Sequence, residues 1–345
     1  MTTLTTTISI YKKLIYWTIG AIVVSIIILI LFRLGGVIKN QLIPTPPSPA
    51  TIAFRVLPKL DFSEGYEPLV GTRFLIETIS GDLPSFGEKA KVFEIKNPIS
   101  KFGDLEKVIN NAKRAGFSNP PIKITNEIAI FEDPKDNSRI LTVGTISGSI
   151  ALKSSYLTNP VIITPNSQSQ RKAQEKVSGF FGQLKVPLQF FPEESITFEE
   201  YKIENGILEK SVSQSTTNLV KVIFNNLDLD EIPIINPDGE NPLVWGLAND
   251  SIVVSAQFVS NDIQRHRFST YPLRGVDLAL EDLRRGNGAL NKKPNSNTFP
   301  IRKVQLAYLE TKGEQEYLQP VYVFESDNGL IAYTSAVKDT FISKD

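Results

Sequence analysis

A run of 19 uncharged residues near the start of the chain, Leu14–Phe32, most constrains how this chain folds. At 1.5 Å per residue it makes a helix of about 28 Å, close to the thickness of the hydrocarbon core of a bilayer. Basic residues close both ends of the run. The run therefore predicts a single transmembrane helix over 14–34, preceded by a short cytoplasmic tail over 1–13.

Two other interpretations of this run are a cleaved signal peptide and a buried core helix. No small-x-small cleavage site follows it, and Arg33 and Lys39 lie where cleavage is expected. The run is also long for a helix in a soluble core. Basic residues flank both ends almost equally, so the orientation is inferred from the short tail and from the ease with which long domains translocate. We expect an uncleaved anchor in the cell membrane, with the C-terminal region extracytoplasmic.

Prolines and turn residues mark the next boundaries. Four prolines in Pro44–Pro49 favour an extended polyproline II segment, which predicts a stiff linker over 35–50. A turn-rich stretch over Asn159–Ser167 marks a second boundary. A chain of 345 residues has the length of about two domains. We therefore predict two soluble domains, 51–165 and 166–345.

Both predicted domains repeat one pattern, an amphipathic helix followed by strands. Apolar residues at helical spacing predict helices over 105–115, 168–184 and 276–283, with Gly116 and Gly286 as C-terminal caps. Runs typical of strands are Arg73–Ile79 and Lys91–Ile95, expected to pair with each other, then Lys123–Phe131, Arg139–Leu152, Glu200–Glu204, Leu219–Phe224, Ser251–Val259, Arg302–Glu310, Tyr317–Glu325 and Leu330–Val337. The pattern predicts an α+β fold in which each helix covers one face of a small antiparallel sheet.

Composition excludes several functional classes. The chain has no cysteine, which removes disulfides, thiolate nucleophiles and Cys-ligated metals. Lys+Arg and Asp+Glu are both 37, so no net positive charge draws the protein to nucleic acid.

Recognisable catalytic constellations are also missing from the sequence. The single histidine, His266, lies between two arginines, with no Ser, Asp or Glu at a familiar spacing, and we interpret it as a solvated residue. Adjacent carboxylates at Glu193-Glu194 and Glu199-Glu200 point to opposite faces of an extended chain and cannot act as a pair. We assign no catalytic, cofactor-binding or metal-binding residue and expect a protein that is not an enzyme.

Charge is nevertheless unevenly distributed along the chain. The segment 228–262 holds seven acidic residues and no base, and its oxygen-rich loops are compatible with calcium binding or with plain surface turns. The segment 284–303 holds six bases and no acid. It is compatible with binding to an anionic polymer, lipid headgroups or an acidic partner, or with neutralisation by the acidic segment.

The C-terminal part of the sequence adds a resemblance to a known family. The run from Tyr271 to Leu290, the triplet Leu306-Ala307-Tyr308 and the segment Pro320–Phe324 are similar to the last part of YycH/YycI-type two-component regulatory membrane proteins. The match covers roughly 271–337 and has Tyr322 where Trp is expected. Elsewhere the chain resembles the family only in pattern.

This resemblance implies one N-terminal transmembrane helix, PepSY-like repeats of helix and sheet outside the membrane, and a non-catalytic function. Such proteins modulate a membrane sensor kinase, so the expected partners are the lipid bilayer and a membrane protein. Two alternatives remain open, a tethered wall-associated or protease-inhibitory binding module and an enzyme of unrecognised type. Tyr308, Tyr322 and Phe324 are expected in the core, the last two packed on the third helix.

Overall fold

The chain divides into two units, Met1–Pro49 and Ala50–Asp345. The computed structural model describes residues 16–30, 48–62, 71–96, 104–163, 168–237, 242–259, 261–294 and 296–344. Residues 16–30 form helix α1, and all of them are exposed. Within the described residues, no helix combines the length and the apolar character needed to cross a membrane. The predicted tail 1–13, both ends of the predicted helix 14–34 and most of the linker 35–50 lie outside the described residues.

The described residues of the second unit, Ala50–Asp345, form four further helices. They are α2 (Asp104–Arg114), α3 (Pro160–Ile163), α4 (Gln170–Gln183) and α5 (Val276–Arg284). The three predicted amphipathic helices are thus confirmed as α2, α4 and α5. Helix α4 begins where the Ser169 side chain accepts a hydrogen bond from the backbone N–H of Lys172. Gly116 and Gly286 follow α2 and α5 with positive φ, as expected of helix C-terminal caps.

Eighteen strands accompany these helices in the described ranges. The first nine are β1 (Arg73–Ile76), β2 (Lys89–Lys96), β3 (Lys123–Ile124), β4 (Ile128–Asp133), β5 (Asp136–Gly144), β6 (Ile150–Lys153), β7 (Ile196–Glu204), β8 (Ile207–Lys210) and β9 (Leu219–Phe224). The others are β10 (Ile234–Ile235), β11 (Val244–Ala248), β12 (Val253–Phe258), β13 (Asp262–Pro272), β14 (Ala289–Leu290), β15 (Thr298–Ile301), β16 (Lys303–Leu309), β17 (Tyr317–Glu325) and β18 (Ile331–Ser335).

The strands form three sheets. The nine-stranded sheet has the order β3-β4-β5-β6-β12-β11-β9-β7-β8. The seven-stranded sheet has the order β10-β16-β17-β18-β14, with β2 paired to β17 and β13 paired to β2. Strands β1 and β15 form a small parallel sheet. The α+β fold class is therefore confirmed, with antiparallel pairing dominant.

Two features of the sheets differ from the predicted arrangement. Strands β1 and β2 form where they were predicted but do not pair with each other, because β1 pairs with β15 and β2 pairs with β13 and β17. Strands β6 and β12 lie on opposite sides of position 165 and pair directly, Ala151 opposite Gln257. The boundary predicted between 165 and 166 thus falls within one sheet, and α2 and α4 share a single hydrophobic core on it.

The two largest hydrophobic clusters each lie between helix residues and one sheet face. Val177, Phe180 and Phe181 of α4 pack on Val222 and Phe258 of the nine-stranded sheet. In the seven-stranded sheet, Tyr322 and Phe324 share a core cluster with Ala279, Leu280 and Leu283 of α5, which confirms the prediction for that strand. Tyr308 is also fully buried, in a different cluster, where its ring meets that of Phe93.

A glycine permits the close approach of α4 to β11. A Cβ atom on Gly246 would lie 2.4 Å from Val177 Cγ1, far inside van der Waals contact. We therefore expect Gly246→Ala to lower the free energy of unfolding by about 1 to 3 kcal/mol, measured by urea denaturation.

The control is Gly179→Ala, because a Cβ atom at Gly179 meets nothing within 4 Å. Alanine in a helix interior should there raise stability by about 0.5 to 1 kcal/mol. Adding Val177→Ala should relieve part of the loss at position 246. Equal effects of the two glycine substitutions would contradict the proposed clash.

Candidate functional site

One row of side chains crosses the nine-stranded sheet on the face opposite α2 and α4. The strand register places its members directly opposite one another on successive strands, and paired residues of antiparallel strands lie on the same face. In order the row is Thr197, Ile223, Trp245, Gln257, Ala151, Thr142, Ile130 and Lys123. With strands about 4.8 Å apart, these eight residues span about 34 Å. We call this set the sheet-face row.

The sheet-face row is largely uncovered. Thr197 and Lys123 at its two ends are exposed, Ile223 is buried, and the other five members are half-buried. The residues that alternate with those five along their strands face α2 and α4 and are buried. Among the described residues, the segment that covers part of this face lies at one end of its strands. There the segment 156–163 packs on Ile203, Leu219 and Leu247, and Asn218 Nδ2 donates hydrogen bonds to the carbonyls of Ile162 and Ile163. The row lies beside that cover, so its half-buried side chains are open to a partner.

Trp245 is the largest side chain of the row. The Lys221 ammonium lies 4.9 Å from the centroid of its ring, a cation–π contact. Its indole Nε1 is buried and has no hydrogen-bond partner among the described residues. The orientation of the indole is therefore fixed by packing and by the lysine rather than by a hydrogen bond of its N–H.

Polar groups beside Trp245 form a connected cluster on β7 and β8. Glu199 accepts hydrogen bonds from Tyr201 Oη at 2.8 Å and from Lys210 Nζ at 2.6 Å. Burial acts to raise the pKa of Glu199, but these two bonds and the nearby lysine charges lower it overall. Burial, followed by the bond to Glu199, raises the pKa of Tyr201. The rim of the row therefore carries an ionised carboxylate and a protonated phenol at neutral pH.

The shape of this face suits a broad surface better than a small molecule. The cavity beside the covering segment, lined by Arg139, Ser154 and Tyr156 among others, has a volume of about 30 Å³. This is roughly the volume of one water molecule, whereas ligand pockets usually measure about 300 to 1,000 Å³. A long, half-exposed row with one Trp and mixed charges at its rim has the composition of a protein interface.

The residues considered for chemistry in the sequence do not come together. His266 is exposed in the irregular part of β13, between the paired residues Ile263 and Phe268. Glu199 is bound as described above, and Glu200 accepts hydrogen bonds from Gln170 and Thr217 on another side of its strand. These carboxylates are structural partners of neighbouring side chains.

The acidic segment 228–262 is spread over several elements. Asp230 forms an ion pair with Lys91 at 2.8 Å, and Asp250 forms one with Lys172 at 2.9 Å. Among the described residues, no group of three or more His, Asp or Glu side chains is placed to hold a metal ion. Asp238 and Glu240 lie outside the described residues. The described residues therefore do not provide a set of ligands for the calcium site that the sequence left open.

The basic segment 284–303 is neutralised locally. Arg302 binds Asp327 and Glu77, and Lys303 binds Glu325. Arg284 and Arg285 pair with acids of the preceding helical turn, Glu281 and Asp282. The acids that pair with these four cations lie outside the acidic segment 228–262, which the sequence had suggested as their partner.

Sequence reasoning missed the sheet-face row altogether. Strand β11, which carries Trp245, was not predicted, although Trp is rare in this chain, with two copies, and stands in an apolar run flanked by turn residues. That combination was the available signal for a strand. The row itself depends on which strands pair, which a single sequence does not reveal.

The fold and this face define a layered α+β protein with an open sheet surface. Its similarity to known proteins is distant. No protein-family model and no curated protein matches the chain. An uncharacterized protein from Eubacterium rectale ATCC 33656 is similar over 73% of this chain and 79% of its own, with a TM-score of 0.36 and 10% identity. The Bacillus megaterium YpeB C-terminal domain is similar over 72% of this chain and 97% of its own, with a TM-score of 0.29 and 13% identity. These are distant structural similarities that carry no inference about function, and the finer resemblance to YycH/YycI-type proteins stays a prediction.

Proposed function

We propose that this chain is a membrane-anchored protein of the cell envelope whose extracytoplasmic region binds and thereby regulates another membrane protein. The observation that carries the proposal is the sheet-face row, a strip about 34 Å long in which all members except Ile223 are half-buried or exposed. The anchor is supported by the uncharged run Leu14–Phe32. A sensor kinase is the partner that the family resemblance implies.

The chemistry of the row favours a folded protein as the partner. The apolar side chains of Ile130 and Trp245 lie on one line with the hydrogen-bonding groups of Thr142 and Gln257. Lipid tails offer no hydrogen-bonding groups to the polar members, and an anionic polymer would gain little from the apolar ones. A protein surface offers both kinds of contact at once. Regulation then requires that the row bind two states of the partner with different affinity.

Site-specific photo-crosslinking tests this function in native membranes. A photoreactive residue at position 142 or 151 of the full-length chain is expected to capture one membrane protein, identified by mass spectrometry. The matched control is position 176, because Lys176 is exposed on α4, on the opposite side of the sheet. Equal capture from all three positions, or capture of a protein that has no membrane segment, would contradict the proposal.

Replacing the central tryptophan tests the same face energetically. A buried Trp at the centre of an interface commonly contributes 2 kcal/mol or more, so Trp245→Ala should weaken partner binding about 30-fold. Circular dichroism checks that the variant folds. Exchanging residues 14–32 for an unrelated membrane helix should leave capture from position 142 intact if the anchor only tethers the chain. Unchanged capture in Trp245→Ala would remove the sheet-face row as the binding surface.

A further inference from the structure

A buried carboxyl group lies where the chain passes between its two large sheets. Glu310 directly follows β16 of the seven-stranded sheet, and only 1% of its surface is exposed. Its backbone N–H donates to the carbonyl of Ile235 in β10, which fixes the position of the residue next to the sheet edge. A glutamate this deeply buried normally has a cation or several hydrogen-bond donors around it.

Two asparagines supply these donors. Asn226 Nδ2 donates to Glu310 Oε2 at 2.6 Å. Asn261 donates to Glu310 Oε1 twice, from its backbone N–H at 3.0 Å and from Nδ2 at 3.2 Å. All three donors are neutral N–H groups. The carboxylate is thus held by hydrogen bonds that favour its ionised form in a site where burial opposes that form.

These asparagines lie on different connections between the two sheets. Asn226 lies between β9 of the nine-stranded sheet and β10 of the seven-stranded sheet. Asn261 immediately precedes β13, after the chain has left β12 of the nine-stranded sheet. One carboxylate therefore binds two separate crossings. We infer that Glu310, Asn226 and Asn261 form a proton-sensitive joint between the two large sheets.

The loop that carries Glu310 is itself firmly closed. Gln315 Nε2 donates to the carbonyls of Leu309 and Tyr317, and its Oε1 accepts from the backbone N–H of Thr311. Asn261 Nδ2 also donates to the carbonyl of Thr311. These bonds tie Leu309 and Thr311, the residues on both sides of Glu310, to Gln315 and Asn261. A change in the charge of Glu310 therefore acts on its hydrogen bonds to Asn226 and Asn261 rather than moving its own loop.

Protonation has a defined effect on the two connections. Oε1 accepts two hydrogen bonds and Oε2 accepts one, so a proton is accommodated best on Oε2, facing Asn226. Protonated Glu310 becomes a donor there, and the Asn226 amide must turn to present Oδ1 as the acceptor. The Asn261 bonds are retained. The joint thus has two hydrogen-bonded forms, which differ at the connection between β9 and β10.

The pKa of Glu310 lies near neutral pH. Burial raises the pKa of Glu310 to about 7, and the bonds from Asn261 and Asn226 oppose that rise. Charged side chains on the segments around it all face solvent; these are Lys96, Asp228, Asp230, Glu231, Asp262, Lys312, Glu314 and Glu316. Because the pKa lies above the ordinary value of about 4.3, the stabilisation from protonation is full below that value and is lost as the pH rises through about 7.

Hydrogen exchange of the full-length chain in detergent micelles tests the joint. Linkage predicts that an opening that exposes Glu310 to water becomes about tenfold more favourable between pH 6 and pH 8. After correction for intrinsic exchange rates, peptides covering 225–235 should lose protection by this factor in the wild-type protein. Glu310→Gln, which is permanently neutral, should show no such change.

The matched control is Glu325→Gln, which removes a carboxylate paired with Lys303 on the neighbouring strand and should keep the wild-type response. The same pH response in Glu310→Gln as in the wild type would overturn the inference. If Glu310→Gln fails to fold, ¹³C detection of glutamate carboxyl groups in the wild type decides the matter. One carboxyl group titrating near pH 7 supports the joint, and the absence of any above pH 5.5 overturns it. Neither result depends on the proposed partner.

Discussion

Replacing Arg274 by methionine is expected to lower the free energy of unfolding by about 3 to 5 kcal/mol. The guanidinium is buried, with Nε donating to the carbonyl of Ser335 at 2.8 Å and Nη2 donating to Thr334 Oγ1 at 3.1 Å. Nη1 donates to Asp282, and to Asp339 at 3.1 Å. Methionine fills much of the same volume but removes every donor. The cost comes mainly from Asp282, whose largely buried carboxylate loses its closest cation.

A neighbouring arginine provides the control. Arg284 pairs with Glu281 on the exposed side of α5, and both side chains are more than a third exposed. Pairs of this kind contribute between zero and about 1 kcal/mol, so Arg284→Met should be nearly neutral. Adding Asp282→Asn to Arg274→Met should restore part of the lost stability, because the uncompensated charge is then gone. Urea denaturation followed by circular dichroism measures all four proteins. Equal losses for the two arginines would contradict the claim that the buried contacts of Arg274 contribute more to stability than an exposed ion pair.

The elements that could be predicted from the sequence are those with strong local signals. Helix α4 combines a Ser N-cap, apolar residues at helical spacing and a length of 14 residues, so its bounds were predicted within two residues. Strands β9 and β17 were predicted with their observed ends, because each is rich in β-branched and aromatic residues. Local preference and tertiary structure agree at these positions.

Strand pairing could not be predicted in the same way. Strand β1 pairs in parallel with β15, more than 200 residues later, and β6 pairs with β12, about 100 residues later. Two-residue strands such as β3, β10 and β14 have too little length for a periodicity to appear. Their existence depends on the neighbours that the rest of the fold supplies.

The candidate sites depend on these long-range pairings. The sheet-face row exists because the register of seven strand pairs aligns eight residues that are scattered over 135 positions, from Lys123 to Gln257. Glu310 resembles an ordinary surface acid at the end of a strand in the sequence. Its burial follows from the packing of the connections that carry Asn226 and Asn261. Neither feature has a local sequence signature.

Phe181→Ala is expected to be the other severe substitution, with a loss of about 3 to 5 kcal/mol in the free energy of unfolding. The ring is fully buried, and its centroid lies 6.0 Å from that of Phe224 in β9 and 6.2 Å from that of Phe258 in β12. Alanine leaves a cavity between α4 and both of these strands. Phe190→Ala is the control, because the ring of Phe190 is 58% exposed, and it should cost under about 1 kcal/mol.

The same variant tests whether the core and the sheet-face row form one cooperative unit. Strand β11, which carries Trp245, lies between β9 and β12, the two strands that Phe181 contacts. In a Trp17→Phe background, the fluorescence of Trp245 should report the same shifted urea midpoint as circular dichroism. A fluorescence midpoint that stays at the wild-type value while the circular dichroism midpoint falls would show that the row unfolds separately from the α4 core. Coincident midpoints would mean that α4 packing on one side of β11 maintains the sheet-face row on the other.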